Sequence, residues 1–182
     1  MNELTLPAKI LALHARLGDA RIHHAFGGAL ALAYYAVPRP TTDVNVNVFL
    51  APARASQVYD ALAPLGVDVR PDRSTVERDG QARVMWGRTP LDLFFAYDPI
   101  HAAMQRAART VPFGEERIVV LGPEHLVVCK AVFDRPKDWL DIEQVLVCVD
   151  DLDGDEIEQW LERIVGRDDT RFERFVALRR RN

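Results

Sequence analysis

The stretch that decides the fold covers residues 22–50 and reads IHHAFGGALALAYYAVPRPTTDVNVNVFL. It predicts a short strand at residues 22–26, a helix at residues 29–36 and a second strand at residues 43–50. The pair Gly27-Gly28 separates the first strand from the helix, and two prolines end the helix and hold the following loop extended. A strand, a helix and a returning strand in so short a stretch indicate an α/β fold.

The second strand is the clearest in the sequence, because apolar and polar residues alternate strictly along it. Its two faces carry Val44, Val46 and Val48 on one side and Asp43, Asn45 and Asn47 on the other. We expect the valines to face the core and Asp43 and Asn45 to project together from the opposite face, about 6.5–7 Å apart. Two oxygen donors at this spacing can bind one Mg²⁺, with Mn²⁺ as the alternative, and so position a nucleoside triphosphate.

The pair Gly27-Gly28 is a candidate phosphate-binding turn. Glycines between a strand and a helix N-terminus let backbone N–H groups approach an anion, where the helix dipole favours negative charge. The alternative is an ordinary tight turn that binds nothing.

A third carboxylate, Asp92, interrupts the apolar strand predicted at residues 91–95. A charge there is costly unless it is paired or bound to a metal. If this strand pairs with the strand at residues 43–50, Asp92 completes the site as a metal ligand and as the base that deprotonates an attacking hydroxyl. The alternative places Asp92 at the start of its strand, facing solvent.

The remaining pattern predicts a two-part organisation. Before residue 122, further helices are expected at 6–17, 53–65 and 100–109, and further strands at 67–69, 81–86, 91–95 and 118–121. After it the pattern is wholly helical, at 124–133, 137–149, 155–164 and 170–179. We therefore predict an α/β core over residues 1–121, a small mixed sheet with flanking helices, and a helical region over residues 122–182 packed on it.

Composition excludes several classes of protein. Of the 182 residues, 48% are hydrophobic and 27% are charged, which excludes general disorder. The net charge of −4 leaves no global basic field that would draw the chain onto nucleic acid or a membrane. No apolar run approaches the ~18 residues of a membrane span, and an early acidic residue argues against a signal peptide. A cytoplasmic protein without a membrane partner is expected.

Three stretches in order resemble the nucleotidyltransferase-fold family related to DNA polymerase beta, and in particular the AbiEii and MenT type toxins of bacterial toxin–antitoxin pairs. The first is the Gly27-Gly28 turn with the helix after it, and the second is Arg39-Pro40-Thr41-Thr42-Asp43-Val44-Asn45, which resembles the R-x-T-x-D-x-D pattern of the family. The third covers residues 121–142, where a lysine on a helix precedes an R-x-K-D-x-x-D stretch. The resemblance covers roughly residues 22–146.

The resemblance implies transfer of a nucleoside monophosphate from a nucleoside triphosphate to an acceptor hydroxyl. The acceptor it implies is a tRNA 3′ end, with a protein hydroxyl as the alternative, and a cognate antitoxin is a further possible partner. The implied site residues are Gly27, Gly28, Thr41, Lys130, Arg135 and Asp138 for the nucleotide, Asp43, Asn45 and Asp92 for the metal, and Asp43, Asp92 and Lys130 for catalysis.

Asn45 departs from the family pattern, because the second metal-binding aspartate of that pattern falls on it. A neutral amide oxygen binds a divalent cation more weakly than a carboxylate does, and each ~1.4 kcal/mol of lost transition-state stabilisation lowers the rate tenfold. Three interpretations stay open: a natural variant with weakened activity, a degenerate domain that binds nucleotide or a partner without turnover, and a deliberate replacement that silences a toxin.

Two further residues have a structural alternative to their implied role. Lys130 would reach the triphosphate as a mobile point charge, or it would form an i,i+4 pair with Asp134. The acidic residues Asp138 and Asp141 share a helix face, so that one of them could orient Lys130. Thr41 is a position that an antitoxin would modify in some relatives, or its hydroxyl makes a local turn bond.

Overall fold

A six-stranded mixed sheet confirms the predicted α/β architecture in the computed structural model, which describes residues 3–69 and 73–181. The strands are β1 (His24–Phe26), β2 (Val44–Val48), β3 (Gln81–Trp86), β4 (Thr89–Phe95), β5 (Arg109–Phe113) and β6 (Glu116–Val120). Their order across the sheet is β3-β4-β2-β1-β6-β5. The pairs β2–β4 and β1–β6 are parallel, and the other neighbours are antiparallel.

Helices precede, interrupt and follow the sheet along the chain. They are α1 (Leu6–Asp19), α2 (Gly28–Leu32), α3 (Ala55–Leu62), α4 (Arg73–Asp79), α5 (Pro99–Ala107), α6 (Pro123–Phe133), α7 (Pro136–Cys148), α8 (Gly154–Val165) and α9 (Thr170–Arg179). Short 3₁₀ turns at Pro52–Arg54 and Ala63–Leu65 flank α3. Within the described ranges, no helix has the length and apolar content that crossing a membrane requires.

The chain divides into two compact units. The first comprises Met1–Gly27 and Pro40–Leu121, and the second comprises Gly28–Arg39 and Gly122–Asn182. The helix α2 and the loop up to Arg39 therefore group with the C-terminal helices.

The core of the first unit lies on one face of the central strands. Alternate residues of β2 and β4 are almost completely buried: Val44, Val46, Val48, Leu91, Leu93 and Phe95. The valine face predicted from the alternation is confirmed. Because side chains alternate along a strand, the residues between these apolar ones project from the other face.

A buried lysine anchors the hairpin that carries β4. Lys9 in α1 is 1% exposed, and its ammonium donates to the Trp86 carbonyl over 2.8 Å, to the Thr89 hydroxyl over 2.8 Å and to Glu3 over 2.6 Å. These three acceptors compensate the positive charge of the Lys9 ammonium, which would otherwise be costly to bury. Two of them, Trp86 and Thr89, flank the turn between β3 and β4, so the contact holds this turn against α1.

The second unit is built around α6. Most of this helix is buried, including its polar residues Glu124, His125 and Lys130, and it packs against α2, α7, α8 and α9. Its neighbours contribute buried side chains that include Trp139, Ile142, Val145, Ile157, Leu161 and Phe175.

Two predicted elements differ from the structure. The strand predicted at residues 67–69 is wrong: Asp68 makes only an isolated bridge, its N–H donating to the Met85 carbonyl over 2.7 Å. The helix predicted at residues 29–36 ends at Leu32, and the chain continues in turns in which the N–H groups of Tyr34 and Tyr35 donate to carbonyls three residues back.

Two observed elements have no clear signal in the sequence. The strand β5 replaces the end of the helix predicted at residues 100–109, and it is an edge strand, mostly exposed and containing Pro112, so its pattern lacks apolar alternation. The helix α4 buries one apolar side chain, Val76, and a single apolar residue produces no periodicity.

Two histidines form a hydrogen-bonded pair in the first unit. His14 Nδ1 lies 2.9 Å from His24 Nε2, and His24 Nδ1 lies 2.9 Å from the Ile22 carbonyl oxygen. Since a carbonyl only accepts, His24 Nδ1 carries the proton and Nε2 accepts from His14. Burial lowers the pKa of His24 from its ordinary value of 6.5 to about 4.

The histidine pair predicts a loss of stability in mild acid. Between pH 6.5 and 4 the unfolded chain binds a proton that folded His24 does not, so the free energy of unfolding falls as the pH falls through this window, by up to about 3 kcal/mol. His24→Gln removes this component, whereas the exposed neighbour His23→Gln keeps it. Urea unfolding at pH 7, 6 and 5 measures the difference, and equal pH dependence in the two variants would contradict the prediction.

Candidate active site

The parallel register of β2 and β4 brings two of the predicted site residues side by side. Asn45 pairs with Asp92 across the two strands. Cross-strand partners point to the same face of a sheet, and both side chains lie on the face opposite the buried valines and leucines. Asp92 stands in the middle of β4 and its side chain is 16% exposed, so the alternative of a solvent-facing position at the strand start is wrong.

Gly27 directly follows β1, the neighbour of β2 in the sheet, and lies beside Asn45. Its N–H donates to the Asn45 carbonyl over 2.9 Å. A Cβ at Gly27 would lie 2.9 Å from Asn47 Nδ2 and 3.4 Å from a Leu121 methyl carbon, so a side chain fits only if buried neighbours move. Gly28 has φ +58°, a left-handed conformation that favours glycine, and it begins the five-residue helix α2.

Asp43 precedes β2 and is half-buried. The Thr41 hydroxyl donates to Asp43 Oδ1 in a short hydrogen bond. The local hydrogen bond that was the alternative role of Thr41 is therefore present. Its acceptor, Asp43, is itself a candidate metal ligand. The predicted nucleotide contact of Thr41 stays a prediction.

Arg83 is a site residue that sequence reasoning missed. In the β3–β4 hairpin it pairs with Asp92, and its Nε and Nη2 donate to the two carboxylate oxygens over 2.6 and 2.8 Å. Hydrogen bonding to Asp92 and the charges of Asp92 and Asp43 raise the pKa of Arg83. The alternation of β3 was the available signal, because it places Arg83 on the exposed face, but the partner depends on the hairpin register.

The donors on this face suit one hard divalent cation. Two carboxylates and one amide oxygen, from Asp43, Asp92 and Asn45, are the ligand types that Mg²⁺ and Mn²⁺ prefer. Only two of these three ligands are carboxylates. Among the described residues, no cluster of three or more His, Cys, Asp or Glu side chains could hold a metal. Arg83 holds both oxygens of Asp92, so a cation would share that carboxylate with the guanidinium.

In the second unit, Lys130 belongs to a buried ionic cluster. Its side chain is 4% exposed, and its ammonium lies 2.6 Å from Asp141 Oδ2 and 3.8 Å from Asp138 Oδ1. Arg39 donates to both oxygens of the same carboxylate over 3.0–3.2 Å. The i,i+4 alternative with Asp134 is wrong, because Asp134 ends α6 in a left-handed conformation and instead accepts a bond from an indole N–H.

Hydrogen bonds keep the buried Asp141 ionised. Burial by itself raises the pKa of Asp141, but the bonds from Arg39 and Lys130 outweigh it and hold the pKa below its ordinary value. The motif residue Arg39 thus has a defined role, which is to tie the loop after α2 to α7.

The predicted nucleotide residues Arg135 and Asp138 pair with each other. Asp138 is completely buried and accepts bonds from Arg135 Nε over 2.6 Å and Nη2 over 3.1 Å at the start of α7. The Arg135 side chain is 52% exposed and also stacks on the Phe133 ring. Within this pair, Arg135 is the group that an external anion can reach.

We expect Lys130→Met to destabilise the second unit. The substitution leaves the buried Asp141 carboxylate with one cationic partner fewer, which costs about 3 kcal/mol in the free energy of unfolding. The matched control is Lys137→Met on exposed α7 surface, with an effect below about 0.5 kcal/mol. Urea unfolding measures both. A Lys130→Met protein with unchanged stability and lost nucleotide binding would instead favour the predicted phosphate contact.

Comparison with solved structures identifies the fold of the chain as that of the nucleotidyltransferases. ANT(2'')-Ia, whose structure is in complex with adenylyl-2''-tobramycin, matches with a TM-score of 0.64 at 14% identity, over 98% of this chain and 99% of that one. Lincomycin-bound LnuA, a lincosamide antibiotic adenylyltransferase, matches with a TM-score of 0.56 at 10% identity, over 79% and 98% of the two chains.

A third match extends the fold beyond antibiotic-modifying enzymes. An antigenic nucleotidyltransferase-like protein from Paracoccidioides brasiliensis has a TM-score of 0.51 at 14% identity, over 94% of this chain and 92% of that one. No protein-family model matches the sequence, and no curated protein matches it. At these identities the likeness establishes the fold, and the chemistry has to be argued from the residues.

Proposed function

We propose that the chain transfers a nucleoside monophosphate from a nucleoside triphosphate to an acceptor hydroxyl. The observation that carries this proposal is the cross-strand pair of Asn45 and Asp92 beside Asp43, on the polar face of a nucleotidyltransferase-type sheet. Alternation along β2 assigns Asp43 and Asn45 to the same face, and Asp92 is the cross-strand partner of Asn45 on that face.

The proposed reaction is a displacement at the α-phosphorus. The acceptor oxygen bonds to that phosphorus, the bond to the bridging oxygen breaks, and pyrophosphate leaves. Asp92 takes the hydroxyl proton as general base. Asp43, Asn45 and Asp92 would hold Mg²⁺ or Mn²⁺, which supplies charge neutralisation and polarisation of the phosphate when bound.

Backbone and side-chain groups outside this face have proposed binding roles. In this proposal the Gly28 N–H approaches the phosphates, whereas the Gly27 N–H already donates to the Asn45 carbonyl, and Gly27 contributes only the space left by its missing side chain. The predicted nucleotide-binding residues Thr41, Lys130, Arg135 and Asp138 complete the proposal. Of these, Lys130 and Asp138 are buried, so their contribution is to position Asp141 and Arg135.

For the acceptor, we propose a tRNA 3′ end, and with it the role of a toxin paired with a cognate antitoxin. The sequence resemblance to AbiEii and MenT type toxins supports this choice. A second candidate acceptor is a hydroxylated small molecule. It is supported by the match to ANT(2'')-Ia over nearly the whole of both chains, and by the net charge of −4, which suits a cationic acceptor better than an RNA backbone.

We expect Asn45→Asp to raise the rate of transfer at least tenfold, because a carboxylate binds the divalent cation more tightly than an amide does. Transfer of label from α-labelled ATP, CTP, GTP and UTP in the presence of Mg²⁺ measures this. Total tRNA, tobramycin and lincomycin serve as acceptors in separate reactions. Asp43→Asn introduced into Asn45→Asp is the control, and it abolishes the label.

The outcomes separate the candidate functions. Label in tRNA supports the toxin hypothesis, and label in a small molecule supports the second acceptor. No label from either folded protein with any acceptor would sink both and favour the rival hypothesis, a nucleotide- or partner-binding module without turnover.

A further inference from the structure

Three side chains form a row on the polar face of adjacent strands. Arg83 on β3 pairs in register with Asp92 on β4, and Asp92 pairs in register with Asn45 on β2. The strand β4 lies between β3 and β2, and the Arg83 guanidinium reaches across to it, donating to both oxygens of Asp92, the cross-strand partner of Asn45.

The charges on this face are unusual for a site that would recruit a divalent cation. Asp43 and Asp92 contribute two negative charges, Arg83 contributes one positive charge, and Asn45 contributes none. A protein cation is thus already present at the place where a nucleotide triphosphate needs positive charge. Since Asp43 as well as Asp92 raises the pKa of Arg83, the guanidinium lies within the field of both carboxylates.

Arg83 retains the capacity to bind an anion. Its contacts with Asp92 use Nε and Nη2, and a guanidinium has five N–H donors. The side chain as a whole is 65% exposed. An ion pair with so exposed an arginine adds little to stability, so the guanidinium can exchange its carboxylate partner for an anionic ligand at small cost.

We propose that Arg83 binds the triphosphate directly and supplies part of the positive charge that a divalent cation would provide, so that nucleotide binding by this chain depends only weakly on Mg²⁺. This inference rests on the proposed function, because it assigns Arg83 to the same site. Arginine suits the role, since its planar donors bind phosphate oxygens in pairs. Asn45 is consistent with this role of Arg83, because an aspartate at position 45 would add a negative charge that repels the phosphates.

Calorimetric titration with α,β-methylene analogues of ATP, CTP, GTP and UTP tests the proposal without turnover. Each protein is titrated once with Mg²⁺ and once with EDTA. For the unmodified chain we expect the two dissociation constants for the preferred analogue to agree within about fivefold. For Arg83→Gln we expect binding in EDTA to weaken at least tenfold, the effect of one or two lost charge-assisted hydrogen bonds.

Arg78→Gln is the matched control, because Arg78 is also an exposed arginine paired to a carboxylate of the first unit, that of Asp79. It binds the analogue as the unmodified chain does. Electron paramagnetic resonance of Mn²⁺ gives a second measurement: Arg83→Gln binds the ion more tightly, since the Asp92 oxygens are released.

The results distinguish failure of the inference from failure of the proposed function. Nucleotide binding that requires Mg²⁺ in the unmodified chain, and that Arg83→Gln leaves unchanged, overturns the role of Arg83 while the transferase proposal stands. Absence of binding for all four analogues, with and without Mg²⁺, overturns both. Binding in EDTA that is lost in Arg83→Gln and kept in Arg78→Gln supports the role of Arg83.

Discussion

The rest of the candidate site depends on the parallel register between β2 and β4. This register places Val44, Val46 and Val48 against a leucine-rich face of β4, and it thereby sets Asn45 beside Asp92 on the other face. Because the side-chain period of a strand is two, a slip by one residue would bury Asp92 and expose the leucines. Apolar burial on one face thus determines the composition of the site on the other.

In each unit, basic side chains of the same unit neutralise one carboxylate of the predicted motifs. In the first unit Arg83 satisfies Asp92, and in the second Lys130 and Arg39 satisfy Asp141. The two cases differ in exposure. The Lys130 pair is buried and must persist for the helices to pack, whereas the Arg83 side chain reaches solvent and can exchange partners. Among the cations of the two units, the exposed arginine is therefore better suited to a ligand than the buried lysine.

The fold narrows the chemistry without selecting the acceptor. A fold does not by itself specify a substrate, so the acceptor has to be inferred from the residues around the site. Here the distinguishing features are an amide at position 45 and an arginine at position 83. Both reduce the negative charge of the polar face, Asn45 from β2 and Arg83 from β3, on either side of β4.

The sequence by itself determined the elements whose signal is local. Strict alternation defined β2 and its buried face, apolar periodicity defined the C-terminal helices, and the order of Gly27-Gly28, Asp43 and Asn45 indicated the kind of chemistry. The edge strand β5 and the short helix α4 lack such patterns and were not predictable. Only the tertiary structure decided that Asp92 lies beside Asn45, that Arg83 holds Asp92, and that Lys130 binds Asp141 rather than Asp134. The physical reason is that strand pairing and helix packing join residues far apart in the chain, and their register is set by how apolar faces fit together.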